Sequence, residues 1–353
     1  MVLIAGIAPV FPDHYYTQEE LYSRLSEVWA GGPFRPELLE RFHRNVRVEG
    51  RHLALSIDEY EKNPGFGARN DAWIRTALEL GERAVCDVLR KSDLHPREIS
   101  QITFTNTTGL AVPSIDARLM NRIPFSRDLK RVPLFGLGCL GGAAGIARVA
   151  DYLQGHPAEA AILLSIELCS LTIQRDDFSL ANLIATGLFG DGAAAVLVVG
   201  EHHALARKGG PRVVDSRSMF FPKTEHIMGW EFNDTGFHVL LSADIADIAE
   251  RNLRLGVDDF LKHNGLTIKD ISHWIAHPGG PKVIQAMERG LGLDSDALNI
   301  SRDTLASVGN ISSASVLLVL DQTISRCQPP PGSFGLMTAM GPAFCAELVL
   351  LQW

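Results

Sequence analysis

The chain is poor in the features that define several large protein classes. Its 353 residues include only five cysteines, Cys86, Cys139, Cys169, Cys327 and Cys345, widely spaced and never in a C-x-x-C pair. That argues against a disulfide framework or a thiolate zinc site and fits a reducing cytoplasm. Basic residues are outnumbered, 33 Lys and Arg against 41 Asp and Glu, for a net charge of −8, so nonspecific nucleic-acid binding is not expected. No apolar run reaches the roughly 20 residues a bilayer span requires; AAAVLVVGEHH and ASVLLVLDQ are broken by glycine or charge. The opening MVLIAGIAPVFPDHYY has no basic segment ahead of its short apolar run and reads as a strand, not a signal peptide. His202 and His203 are adjacent and lack metal-ligand spacing. These absences predict a soluble, cytoplasmic protein without a metal.

What is present is material for a large core, with 46% hydrophobic and 21% charged residues. Helical periodicity alternates with short β-branched runs, the mark of an α/β architecture. Strands are expected in QITFTN (from 101), AILLSIE (161), AAAVLVV (193), HWIAH (273) and FGLMTAM (334), and helices over 71–91, 141–153, 243–264 and 312–324. The pattern is used twice. Residues 84–105, AVCDVLRKSDLHPREISQITFT, align with 256–277, GVDDFLKHNGLTIKDISHWIAH, so that Ile99 falls on Ile271 and Ser100 on Ser272. Further along, GCLGGAAG from 138 aligns with GNISSASV from 309, one residue out of register, and pairs Cys139 with Asn310. The expectation is a duplicated chain, divided into 1–212 with the cysteine and 213–353 with His277 and Asn310.

Each of these three residues has a plain reading and a chemical one. A lone cysteine is usually a small buried hydrophobe. Cys139, however, follows a strand and a glycine turn and opens an apolar helix, where unpaired N–H groups and the macrodipole favour a thiolate. His277 ends a strand and is held by Pro-Gly-Gly-Pro, a setting more constrained than a turn histidine needs. Asn310 at a helix start is ordinarily an N-cap, yet its pairing with Cys139 also makes it an amide donor aimed at the same cleft. Ligands of α/β folds gather at strand C-termini and helix N-termini, and a pseudo-twofold fold brings equivalent ends together. Nucleophile, base and oxyanion donor would then converge. A rival reading is the dinucleotide fingerprint G-x-G-x-x-G at Gly136, Gly138 and Gly141. Its acidic partner, Glu167, falls later than the usual spacing, and it leaves Asn310 unexplained.

The set GCLGGAAG, HPGGP and GNISSAS, with LFGDGAAAVLV from 188, TTGLAVPS at 107–114, GFH at 236–238 and Gly341-Pro342, resembles the type III polyketide synthases, the chalcone synthase-like branch of the thiolase superfamily. The resemblance runs from about residue 40 to the end. It implies a five-layered αβαβα thiolase-like fold, a homodimer, and a catalytic triad of Cys139, His277 and Asn310. Phe189 and Phe237 match the family's gatekeepers, and Val112 the residue that reaches into the partner's cavity. Thr107, Ala111, Cys169, Thr172 and Ser312 match the cavity or starter tunnel. Met340 stands where relatives often carry Phe. Arg41, Arg44 and Lys282 match the CoA-binding positions.

The implied substrates are an acyl-CoA and malonyl-CoA, joined by decarboxylative condensation, and no metal, flavin or nicotinamide is called for. ELCSLT from 167 and MGWEFNDTGF from 228 look most like bacterial enzymes that make alkylpyrones or alkylresorcinols from long-chain acyl-CoA. A malonyl-CoA-only tetrahydroxynaphthalene synthase and a β-ketoacyl carrier-protein synthase III-like enzyme are the alternatives.

Overall fold

The computed structural model describes residues 1–29, 36–60 and 65–353. Nine strands form one mixed sheet. Across it they run Ile271–Ala276, Phe334–Gly341, Cys345–Gln352, Arg212–Phe220, Val2–Val10, Asp191–Val199, Ala160–Leu168, Ile99–Asn106 and Lys130–Phe135.

The order contains the same figure twice. Ile99–Asn106 pairs parallel with Ala160–Leu168, which pairs antiparallel with Asp191–Val199, which pairs antiparallel with Val2–Val10. Ile271–Ala276, Phe334–Gly341, Cys345–Gln352 and Arg212–Phe220 repeat that sequence of partners and directions. The edge strand Lys130–Phe135 has no counterpart. The two figures meet where Val2 and Leu3 face Val213 and Arg212. The aligned repeat is visible in detail. Helices Phe66–Ser92 and Ile245–His263 each lead through a left-handed residue, Asp93 or Gly265, and a short 3₁₀ turn into strands that begin at Ile99 and Ile271.

Side-chain alternation along the strands builds the layers. Ile162, Leu164 and Ile166 pack with helix Phe66–Ser92, whereas Ala161 and Leu163 face helices Gly141–Gly155 and Ser312–Gln322. In the second figure Ile275, Met337 and Val349 face that same helix pair, and Trp274, Leu336 and Leu350 turn to helices Ile245–His263 and Pro281–Leu291. The two halves of the one sheet flank the central helices, so that the layers run helix, half-sheet, paired helices, half-sheet, helix, the five-layered thiolase-like arrangement. Burial of both sheet faces explains why AILLSI and AAAVLVV read as continuous apolar runs instead of alternating ones. Glycine lets the central pair cross closely: a Cβ at Gly142 would lie 2.2 Å from the Ser313 carbonyl oxygen. Among the described residues no helix is long and apolar enough to cross a membrane.

Candidate active site

Cys139 is delivered by the edge strand Lys130–Phe135 and a turn through Gly136 and Gly138, both at positive φ. A Cβ on Gly138 would stand 2.5 Å from Pro342 Cδ, so only glycine lets the turn pass under the C-terminal segment. The cysteine occupies a 3₁₀ turn, Gly138–Leu140, that leads into the helix beginning at Gly141, the start expected from the sequence. The same packing closes the dinucleotide reading. Pro342 fills the space above Gly138, and Glu167 is fully buried, accepting from Thr107 N (3.0 Å), Thr108 Oγ1 (2.9 Å) and Ser313 Oγ. It has no exposed oxygen to offer a ribose.

His277 follows the last residue of strand Ile271–Ala276, its own N–H donating to Thr338 O at 2.8 Å. The ring is buried, and among the described residues neither ring nitrogen has a hydrogen-bond partner. Buried polar atoms are nearly always paired, so an unpaired imidazole beside a cavity marks a group kept for a ligand. Asn310 precedes helix Ser312–Gln322 after Gly309, whose φ of +73° and whose contact with Leu188 O both demand glycine. Its Oδ1 accepts from Ser312 N at 2.8 Å, and its Nδ2 donates to Gly279 O at 3.3 Å. Asn310 stands one residue ahead of the N-cap position, Ile311, yet its bond from Ser312 N still fixes the carboxamide, and the second Nδ2 hydrogen remains for the cavity.

All three side chains line one cavity of about 340 Å³. Burial dominates its electrostatics. It pushes the Cys139 thiol up to about 12, against the opposing pull of Ser312 and Asn310, and depresses His277 to about 3. Desolvation of the buried sulfur thus acts against the thiolate that the helix terminus favours, and desolvation of the ring favours the neutral imidazole. A neutral imidazole is the form that can accept the thiol proton.

Thr107, Cys169, Phe189, Ser312, Met340 and Lys282 also line this cavity. Other expected residues do not. Phe237 is 2% exposed and lies one ring behind the wall, 5.5 Å from Trp230 and 5.8 Å from Phe66 between centroids. Thr172 is buried with its hydroxyl on Cys169 O (2.7 Å), and Ala111 packs against the outer core. Arg41 and Arg44 are exposed on helix Pro36–Asn45, whose Phe42 and Asn45 line the cavity instead; Arg44 pairs with Glu40. Val112 is 97% exposed, beside exposed Leu110. Sequence reasoning missed Trp230, on the ribbon Met228–Asn233 with Gly236–Leu241, whose Nε1 donates to Thr107 Oγ1 at 3.2 Å across the cavity wall. It also missed Arg51, which turns into the core and is 2% exposed.

A thiolase-like fold that gathers Cys, His and Asn from its two halves into one apolar chamber is the framework of an acyl-condensing enzyme. Family models agree: the N-terminal domain of chalcone and stilbene synthases matches residues 3–202, and the C-terminal domain of the same family matches 212–353. The chain belongs to that family, the type III polyketide synthases, transferases that carry out decarboxylative condensation of CoA thioesters. It is 46% identical to the 1,3,6,8-tetrahydroxynaphthalene synthase of Streptomyces peucetius subsp. caesius, over 99% of this chain and 93% of the relative. It is 28% identical to the alpha-pyrone synthesis polyketide synthase-like Pks18 of Mycobacterium tuberculosis, over 100% and 91%. The crystal structure of 1,3,6,8-tetrahydroxynaphthalene synthase from Streptomyces coelicolor A3(2), a bacterial type III polyketide synthase, superimposes with a TM-score of 0.92 at 30% identity, covering 99% of both chains.

Proposed function

We propose that this polyketide synthase both primes and extends with malonyl-CoA and releases a polyhydroxylated naphthalene. The observation that carries the chemistry is the common cavity of Cys139, His277 and Asn310, with both His277 nitrogens unpaired. His277 takes the Cys139 proton as sulfur attacks the CoA thioester, and returns it to the departing CoA thiolate. Malonyl-CoA then loses CO₂; the C–C bonding pair becomes an enolate whose oxygen accepts from the His277 ring and Asn310 Nδ2. The enolate carbon attacks the Cys139 thioester, and the sulfur leaves as thiolate. Rounds continue until the chain cyclises.

Two observations favour malonyl priming over the long-chain starter expected from sequence. One is the 46% identity to a tetrahydroxynaphthalene synthase over nearly the whole of both chains. The other is that Ala111 and Thr172, two of the five residues expected along the cavity or starter tunnel, do not line the cavity, which Trp230 walls toward Thr107. The second reading, a long-chain acyl-CoA starter yielding an alkylpyrone or alkylresorcinol, draws on the apolar walls at Leu180, Ile184 and Leu241 and on the likeness to Pks18.

In this proposal the halves divide at 212/213, Phe189 gates the passage while Phe237 backs the wall behind Trp230, and Arg41, Arg44 and Lys282 receive CoA phosphates. The working unit is a cytoplasmic homodimer in which exposed Val112 meets the partner's cavity. Mass spectrometry of products from malonyl-CoA alone, and from malonyl-CoA with a panel of acyl-CoA starters, tests the substrate. An aromatic product from malonyl-CoA alone is expected. No such product, with alkylpyrones appearing only when a long-chain acyl-CoA is added, would overturn malonyl priming in favour of the second reading.

A further inference from the structure

Arg51 is the largest buried cation of the described residues, and its guanidinium has no carboxylate within ion-pair distance among them. Its donors go to backbone instead: Nη1 to Phe189 O at 2.7 Å and Nη2 to Thr186 O. Both carbonyls belong to the C-terminal turn of helix Leu180–Leu188, where unpaired carbonyls and the negative end of the macrodipole favour a cation. The buried Asp191 carboxylate attracts the guanidinium through space but makes no ion pair with it; its oxygens accept instead from Ala54 N at 2.6 Å and Ser170 N at 2.8 Å.

The turn that Arg51 holds is the one that holds Asn310. Asn310 N donates to Leu188 O at 2.9 Å, and Gly190 N donates to Asn310 O at 3.0 Å, a parallel bridge centred on Phe189 and Asn310. Phe189 O points the other way, and Arg51 takes it. Glycines admit this packing: a Cβ at Gly190 would meet Val308 O at 2.4 Å and Arg51 Cβ at 3.2 Å, and one at Gly309 would meet Leu188 O at 2.8 Å. Three carbonyls of one turn are thus shared out, two to the guanidinium and one to the amide of the residue that faces the reacting enolate.

We propose that Arg51 is a positioning residue for the condensation: by fixing the Thr186–Gly190 turn it sets where the Asn310 carboxamide and the Phe189 ring stand in the cavity. Oxyanion donors act only when held within about half an ångström of their productive place, and Asn310 takes both of its main-chain bonds from this turn. Lysine would keep the charge but offer a point donor in place of the planar fork that reaches two carbonyls at once. The inference rests on the Cys139, His277 and Asn310 reading above and is independent of which starter is used.

The test uses full-length purified enzyme carrying Arg51→Met or Arg51→Lys, each also combined with Cys139→Ala, and follows malonyl-CoA decarboxylation, condensation and thiol alkylation. The expected result is a 10- to 100-fold lower kcat for both decarboxylation and condensation in Arg51→Met, with KM for malonyl-CoA within about threefold and Cys139 alkylated by iodoacetamide at the parent rate. Arg51→Lys should fall between Arg51→Met and the parent. If Arg51→Met does not fold, Arg51→Lys decides alone by the same split between kcat and alkylation. Decarboxylation unchanged in a folded variant would overturn the proposal, as would a loss of alkylation parallel to the loss of kcat. Asn310→Ala and His277→Ala controls separate this outcome from failure of the site reading: unchanged decarboxylation in those two would count against the triad itself.

Discussion

The hydroxyls of Ser165 and Ser313 stand 2.8 Å apart, one on a strand of the first half and one on the central helix of the second, and Ser313 also donates to the buried carboxylate of Glu167. The two halves are therefore joined by a polar seam within an otherwise apolar core. Burial raises Glu167 from 4.5 to about 7, outweighing the hydrogen bonds from Ser313, Thr107 and Thr108 that pull it down.

That shift has a thermodynamic sign. In the folded protein Glu167 keeps its proton to about pH 7, whereas the unfolded chain releases it near 4.5. The stabilising contribution is complete below about pH 4.5 and is lost as the pH rises to 7. At about 1.4 kcal/mol per unit, the swing is on the order of 3 kcal/mol. Asp191, raised by burial to about 6, adds to the same slope. Glu167→Gln should flatten the fall in urea-unfolding free energy between pH 5 and 8, and an unchanged slope would mean the carboxyl is ionised throughout.

Alkylation tests whether burial keeps Cys139 and His277 neutral. With the thiol near 12 and the imidazole near 3, the rate of iodoacetamide inactivation should climb about tenfold per pH unit from 7 to 10. A plateau already reached near pH 7 would reveal a resting thiolate–imidazolium pair instead.

Gly142→Ala sets two effects against each other. Alanine in a helix interior is favoured over glycine by about 1 kcal/mol. The added methyl, however, would sit 2.2 Å from the Ser313 carbonyl oxygen and 2.8 Å from Val316 Cγ1. Backbone cannot swing aside as a flexible side chain can, and overpacking costs about 1–3 kcal/mol, occasionally more. Net destabilisation of about 2 kcal/mol is expected by denaturant unfolding, with reduced turnover because Ser312 and Ser313 are displaced together; a stabilised variant would show that the central helices can part without loss.

Cavity substitutions should separate lining residues from those the sequence merely grouped with them. Cys169→Phe fills the chamber and should lower chain extension several-fold, whereas Ala111→Phe should leave the product profile unchanged. Trp230→Ala removes both a wall and the bond to Thr107, and should admit bulkier acyl-CoA starters. Product mass spectrometry reads all three, and equal effects of Cys169→Phe and Ala111→Phe would mean the chamber extends to Ala111.

The parts legible in sequence were those where covalent constraint and chemistry coincide. His277 is announced by Pro-Gly-Gly-Pro, Cys139 by its glycine turn, and Asn310 by alignment with Cys139 across the repeat. Glu167 was weighed only as a ribose ligand, because a strand-end acid looks alike whether its oxygens face solvent or, as here, Thr107, Thr108 and Ser313. Arg51 carried no signal of this place: its partners are backbone carbonyls of a turn more than a hundred residues away, and main-chain acceptors have no residue type. Trp230 was hidden likewise, since a ribbon folded over a cavity reads as any exposed hairpin.

The sequence by itself determined the duplication, the alternation of strand and helix, and the identity of the sulfur, imidazole and carboxamide, because local periodicity and glycine placement are written along the chain. Only the tertiary structure decided which small residues face the chamber, that burial opposes the thiolate, and that a buried arginine bonds the same turn that Asn310 bonds. These properties arise from desolvation and from contacts between the halves, and neither exists until the two halves of the sheet close around the central helices.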